Sequence, residues 1–246
     1  VDKEAGWLDD FAAYLAIKKA QSGKPWYEWP HDLKHRQKRS VDKVINKYTK
    51  YILFVKWQQY VFFKQWAALQ EYCHAVSIQL FGDLPIYVNY DAVDVWANQQ
   101  LFKLDEAGRM LGVAGVPPDY FNADGQLWGM PVFNWHVHKK QQYAWWIARI
   151  NKNLELYDLL RLDHFRAFYD YWEVSADEKT AIKGEWKSGP GEHFFQILND
   201  VLGELPFVAE DLGDIHEGVY ILRDQFKLPG MRVLQFAFGE DLPSSI

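Results

Sequence analysis

The stretch Leu159–Phe168 reads LLRLDHFRAF. Leu159, Leu160 and Leu162 make a short apolar run, and Arg161, Asp163, His164 and Arg166 crowd its end. Such a run predicts a buried strand, here over Leu159–Phe165. An ionised side chain is costly inside one unless it is paired. Arg161 and Asp163 are two positions apart, so in a strand they share a face and can pair. The pair either pins the strand to the next loop, or keeps a carboxylate charged where barrel enzymes carry their chemistry, at a strand's C-terminal end.

Similar runs predict strands over Ser77–Phe81, Pro206–Glu210 and Met231–Phe238. Helical patterns lie between them, over Tyr51–Ala75, about Lys139–Leu156 and about Gly191–Leu202. Asp214 and Glu217 stand at capping-box spacing for one more. Tyr51, Val55, Phe62, Trp66, Leu69 and Cys73 fall on one face of the first helix and are expected to face a core. Strands alternating with helices predict an α/β fold built from parallel βα units. Asp83, Asp163 and Glu210 stand at or just past three strand ends, and in a βα barrel those ends converge on one mouth.

Residues 89–135 break the pattern, being rich in Gly, Pro, Asn and Asp with little periodicity. A segment this long is either functional or disordered. Its aromatics, Trp96, Phe102, Tyr120, Phe121, Trp128, Phe133 and Trp135, argue for order.

Composition narrows the partners. The 246 residues carry a net charge of -6. The one basic run, Lys34–Lys43, is expected on a solvated helix face, so no nucleic-acid partner is expected. The most apolar segment is interrupted by Lys56, Gln58, Gln59 and Lys64, and no membrane span is expected. Cys73 stands alone, which excludes an intrachain disulfide and suits a reducing compartment. His31 and His35, like His136 and His138, could share a face, but no metal site is expected, because "HDLKH" lacks the Glu of a zinc protease motif. Aromatic residues make up 17% of the chain, and surplus Trp and Tyr suit stacking on sugar faces.

Two carboxyls in one cleft are the minimum for cleaving a glycosidic bond, one ionised and one protonated. Asp163, beside Arg161, suits the ionised role. Glu210 follows apolar Phe207-Val208-Ala209 and precedes Asp211, and both burial and a like charge would raise its pKa. That suits the general acid. Alternatively, Asp211 caps a helix and Glu210 is merely its neighbour.

The motifs "GDLPIYV", "AGVPPDYFNADGQLWGMPVFNW", "LLRLDHFRAF", "FVAEDLG" and "LPGMRVLQFAF", in this order, closely resemble the amylomaltases, also called 4-α-glucanotransferases or disproportionating enzymes, of the α-amylase superfamily. The likeness extends to "WLDDFAAYLAIK" and "PWYEWP" near the start. It implies a (β/α)8 TIM barrel with inserted subdomains and transfer of α-1,4-glucan segments between maltooligosaccharides. By position, Asp163 matches the nucleophile, Glu210 the acid/base, and Arg161 the arginine that orients the nucleophile. Asp83 matches a polar residue at the mouth. Asp119, Tyr120 and Phe121 match a loop over the acceptor side, and Gln126 and Trp128 would line the same cleft. The segment 89–135 would then be an inserted subdomain covering the active site. The resemblance implies no metal or organic cofactor and a cytoplasmic or plastidial location; it sets no oligomeric state.

The sequence departs from this family in one way that matters. Its third carboxylate, the Asp of a His-Asp pair on a later strand, has no counterpart after His31. The early strands with a substrate-binding tyrosine also have none. The chain is therefore expected to be an internal fragment, a partial catalytic barrel over 1–246 lacking the first and last strands, and inactive alone. Ala167 for the common Gly, and Asn89-Tyr90 after "IYV", touch no proposed role. A glucan hydrolase and a non-catalytic glucan-binding protein are the competing readings.

Overall fold

The computed structural model describes residues 4–120, 122–213 and 215–238. Helices α1 (Ala5–Ala20), α2 (His31–Lys34), α3 (Lys38–Lys47) and α4 (Thr49–Ala75) lead to strand β1 (Phe81–Leu84). Helix α5 (Val93–Ala97) and strands β2 (Gly112–Val116) and β3 (Gln126–Pro131) follow, then α6 (Trp135–Lys140) and α7 (Ala144–Leu154). Strands β4 (Leu159–Leu162), β5 (Asp170–Ser175) and β6 (Gly184–Ser188) come next, and α8 (Gly191–Leu202), β7 (Phe207–Ala209) and α9 (Glu217–Gln225) complete the order.

These elements form two units. One comprises Val1–Ile78, Tyr87–Gln141 and Trp172–Lys187; the other comprises Gln79–Ile86, Gln142–Tyr171 and Ser188–Ile246.

In the first unit, α1 packs on α4 through Ala12, Ala16, Ile52 and Val55. The alanines let the helix axes approach closely. At about 1.5 Å per residue, α1 is some 24 Å long and α4 some 40 Å, so α1 cannot cover the whole of α4. Phe62 and Leu69, expected to face a core, are accordingly exposed, while Val55 and Cys73 are buried. The basic run lies partly on α3, which buries none of its residues. The described residues of the segment 89–135 include regular structure. Its β2 and β3 are antiparallel, and β2 also pairs antiparallel with β5, within a sheet of order β3-β2-β5-β6. This sheet was not legible in the sequence because the first four residues of β2 (GVAGV) are all buried and show no alternation.

In the second unit the three expected parallel strands form one sheet in the order β1-β4-β7. Leu160 and Leu162 are buried beneath it. Trp146 of α7 and Phe194 and Phe195 of α8 pack with Phe165 and Phe168 into an aromatic core.

Several boundaries differ from expectation, each for a local reason. The ladder of β1 begins at Phe81, not Ser77. Ser77 has φ 58, Ile78 donates back to the Cys73 carbonyl at 2.9 Å, and the Leu80 N–H goes to the Asp158 carboxylate at 2.6 Å. Strand β4 ends at Leu162 rather than Phe165, because His164 is left-handed at φ 49 and opens a 3-10 turn over Phe165–Phe168. The helix expected over Lys139–Leu156 is two helices, α6 and α7, parted by left-handed Gln142 and Tyr143. Strand β7 loses one residue at each end of the expected span. The last expected strand is absent: Leu234–Phe238 is a 3-10 helix, and the Met231 N–H goes to Asp211, not to a ladder. Helix α9 is capped by His216, whose ring accepts from the Gly218 N–H at 3.0 Å, and Glu217 is its first residue. Asp214, the cap expected from the spacing, lies outside the described residues.

Gly82 shows how tightly the loop before β4 sits against the sheet. A Cβ there would overlap the Tyr157 ring and the Leu160 side chain. Gly82→Ala in the full-length protein is expected to cost about 1–3 kcal/mol through overpacking, read from urea denaturation midpoints. An unchanged midpoint would mean that Tyr157 moves aside without cost.

Candidate active site

The site is built by strand register. Strands β1 and β4 pair so that Asp83 lies opposite Arg161, and β4 and β7 pair so that Leu162 lies opposite Ala209. Side chains at registered positions of neighbouring strands share a face. Asp83 and Arg161 therefore meet, and Arg161 Nη1 donates to Asp83 Oδ1 at 2.8 Å. Asp163 is two residues on from Arg161, and Arg161 Nη2 reaches its Oδ1 at 3.0 Å. One guanidinium thus serves two carboxylates. Asp83 itself stands within β1 rather than past its end, so it reaches the cluster through this register.

Asp163 and Glu210 each follow the registered pair Leu162 and Ala209 by one position. Neighbouring strands are about 4.8 Å apart, so the two carboxylate-bearing residues leave the sheet side by side. The Glu210 N–H donates to the Leu162 carbonyl at 3.0 Å, and the Glu210 carbonyl accepts from the Phe165 N–H at 3.1 Å. His164 completes the cradle: its N–H donates to Glu210 Oε2 at 2.9 Å. The left-handed turn at His164 is unusual for a residue with a Cβ, and holding it costs about 1–3 kcal/mol. This contact is not legible in the sequence, because it is made by a backbone N–H whose direction depends on that turn.

Burial and charge both act on Glu210. Burial pushes the Glu210 pKa up, and the like charge of Asp163 pushes the same way. The His164 N–H and Arg161 oppose the shift without cancelling it. The expected like-charge neighbour, Asp211, plays no such part. Its carboxylate is buried and paired with Arg223, and it accepts the Met231 N–H at 2.8 Å. It is not a helix cap either, since α9 is capped by His216. Burial, then the charge of Arg166, hold the His164 imidazole down to about 4, so this ring is neutral at neutral pH.

Asp119, Tyr120, Gln126 and Trp128 belong to the first unit. Asp119 and Asn122 form a turn, with the Asn122 N–H on Asp119 Oδ1 at 2.7 Å and the Asp119 N–H on the Asn122 carbonyl at 3.1 Å. Tyr120 is 97% exposed. Gln126 and Trp128 share a face of β3, where Trp128 Nε1 donates to Gln126 Oε1 at 3.1 Å and the indole sits 6.0 Å from the Tyr87 ring. Phe121 lies outside the described residues. Among the described residues, no three His, Cys, Asp or Glu side chains group as metal ligands, and no helix is long and apolar enough to cross a membrane.

Comparison with known proteins shows what this chain is similar to. A family model described as 4-alpha-glucanotransferase matches residues 1–245. The 4-alpha-glucanotransferase of Aquifex aeolicus is 49% identical over 244 residues, which is 98% of this chain and 50% of that protein. That of Thermus thermophilus is 45% identical over 241 residues, 98% of this chain and 48% of the relative. The structure of the amylomaltase from Streptococcus agalactiae in complex with acarbose superposes with a TM-score of 0.95 at 41% identity, covering 99% of this chain and 50% of that one. The chain spans about half the length of the curated relatives it matches.

The raised Glu210 pKa has a consequence for stability. A carboxyl whose pKa is higher folded than unfolded stabilises the fold while protonated and loses that contribution as pH rises through its folded value. Glu210→Gln keeps an acceptor for the His164 N–H and removes the ionisable proton. The variant is expected to gain stability over wild type as pH rises above the ordinary value of 4.5, with no gain below it. Melting temperatures of both proteins across about pH 4–8 check this. A gain confined to acid would contradict the assignment.

Proposed function

The chain belongs to the 4-alpha-glucanotransferase family, and from that premise we propose that the full-length protein moves α-1,4-glucan segments between maltooligosaccharides by a retaining double displacement. The observation that carries this reading is the pair of strand ends: Asp163 beside Arg161, and Glu210 next to it with a raised pKa. A retaining mechanism needs its two carboxyls only about 5–5.5 Å apart, and departure from neighbouring strands supports such a separation.

In the first step Glu210 gives its proton to the bridging oxygen as that oxygen leaves C1, and an Asp163 oxygen bonds to C1 from the opposite face. The product is a β-glucosyl ester on Asp163. Glu210, now ionised, takes the proton of an incoming glucan 4-hydroxyl, whose oxygen displaces Asp163 and restores the α-bond. Arg161 holds the nucleophile, and Asp83 holds Arg161. The chemistry calls on no metal or organic cofactor.

Water has to lose to sugar in the second step. We assign that task to the segment 89–135 as a cover over the acceptor side, with Asp119, Tyr120, Phe121, Gln126 and Trp128 meeting the sugar. The full-length barrel would be of the (β/α)8 type. It would supply a third carboxylate beyond this chain, and it would work in the cytoplasm, or in a plastid if the source is a plant.

Incubating the full-length protein with maltotriose tests the reading. Glucose together with maltotetraose and longer chains is the expected product set. Glucose and maltose without longer chains would mean hydrolysis, and binding without products would mean a glucan-binding protein. Asp163→Asn should abolish the ladder, and Glu210→Gln should slow it about 10²–10⁴-fold.

A further inference from the structure

Glu210 stands between two residues that are tied to the same turn. On one side, the Ala209 N–H donates to the Pro229 carbonyl at 2.8 Å. On the other, Asp211 Oδ1 accepts the Met231 N–H at 2.8 Å. The other oxygen of Asp211 is paired with Arg223 Nη1, and the Asp211 side chain is fully buried. Arg223 projects from α9, where its guanidinium also holds Asp224 at 2.6 Å and its carbonyl accepts the Leu228 N–H at 3.1 Å. Gly230 sits at the tip of the turn, and a Cβ there would collide with both Asp211 Oδ2 and Arg223 Nη1. The whole arrangement closes around one ion pair.

We propose that the Asp211–Arg223 pair is the positioning device for Glu210, fixing the chain on both sides of it so that its carboxyl stays against the His164 N–H and beside Asp163. This rests on the acid/base role given to Glu210 above. The pair acts through the backbone. Asp211 and Arg223 touch no reacting atom, and with its charge matched by Arg223, Asp211 leaves Asp163 as the carboxylate that sets the field at Glu210. The charged groups around Glu210 are then Asp163 and Arg161 from β4 and the turn after it, Asp83 through Arg161, and the cluster of Asp211, Arg223 and Asp224, while His164 meets Glu210 through its backbone N–H.

A structural role alone would slow all donors alike, so the test compares two leaving groups. A glucan oxygen needs a proton to leave C1, whereas 4-nitrophenolate leaves with its electron pair unprotonated. In the full-length protein, Arg223→Met should lower kcat for transfer from maltotriose about 10–100-fold, the scale of a misplaced catalytic group. Formation of the glycosyl-enzyme from 4-nitrophenyl maltotrioside, read as nitrophenolate release, should fall far less. Arg223→Lys, which keeps the charge, should recover most of the lost rate. If Arg223→Met does not fold, Asp211→Asn decides by the same ratio, since it keeps an acceptor for Met231 and breaks only the ion pair. Equal losses with both donors, or no loss, would overturn the proposal. A wild-type protein inactive on both donors would instead overturn the role given to Glu210.

Discussion

Arg161 holds two carboxylates with one guanidinium, and the ladder register decides which two. Parallel pairing of β1 with β4 puts Asp83 opposite Arg161, while the two-residue period of β4 puts Asp163 beside it. A slip of one residue would turn every side chain to the other face, burying the charges and exposing Leu160 and Leu162. The cost of burying unpaired charge therefore protects the register, and the register makes the site. Glu210 depends on the same ladder, because Ala209 lies opposite Leu162 and the next position on each strand is a carboxylate.

With the backbones side by side, environment does the rest. Asp163 has an arginine at 3.0 Å and a partly open side chain, whereas Glu210 is pulled into the body of the unit and meets a neutral backbone donor. Burial thus raises the proton affinity of Glu210, as the acid of such a step requires. The left-handed turn at His164 belongs to this division. It ends β4 early and turns an N–H onto Glu210.

Much of this was legible in LLRLDHFRAF and FVAEDLG. An apolar run ending in charge, with Arg161 and Asp163 two apart, could be read because strand periodicity is simple and buried charges need partners. Helix α8 was legible from its periodicity, and its bounds match. Three kinds of feature were not legible. The sheet through β2 and β3 hid because β2 is buried without alternation, and its long-range partner β5 lies far along the chain. The partner of Asp211 is not legible because sequence adjacency offers only the like charge of Glu210 or a capping role, while the fold supplies Arg223. The last expected strand failed because an apolar pattern alone does not provide a ladder partner, and its first N–H found Asp211 instead.

In the proposed reaction Asp163 forms the bond to the sugar and Glu210 frees the site afterwards. The most direct measurement is to mix full-length Glu210→Gln protein with 4-nitrophenyl maltotrioside, quench, digest and weigh the peptides. Departure of nitrophenolate needs no acid, but release of the sugar needs the missing base, so the ester should accumulate. A maltotriosyl increment on the peptide carrying Asp163 is the predicted result. The same increment on another residue, or continued transfer with Asp163 unmodified, would contradict it.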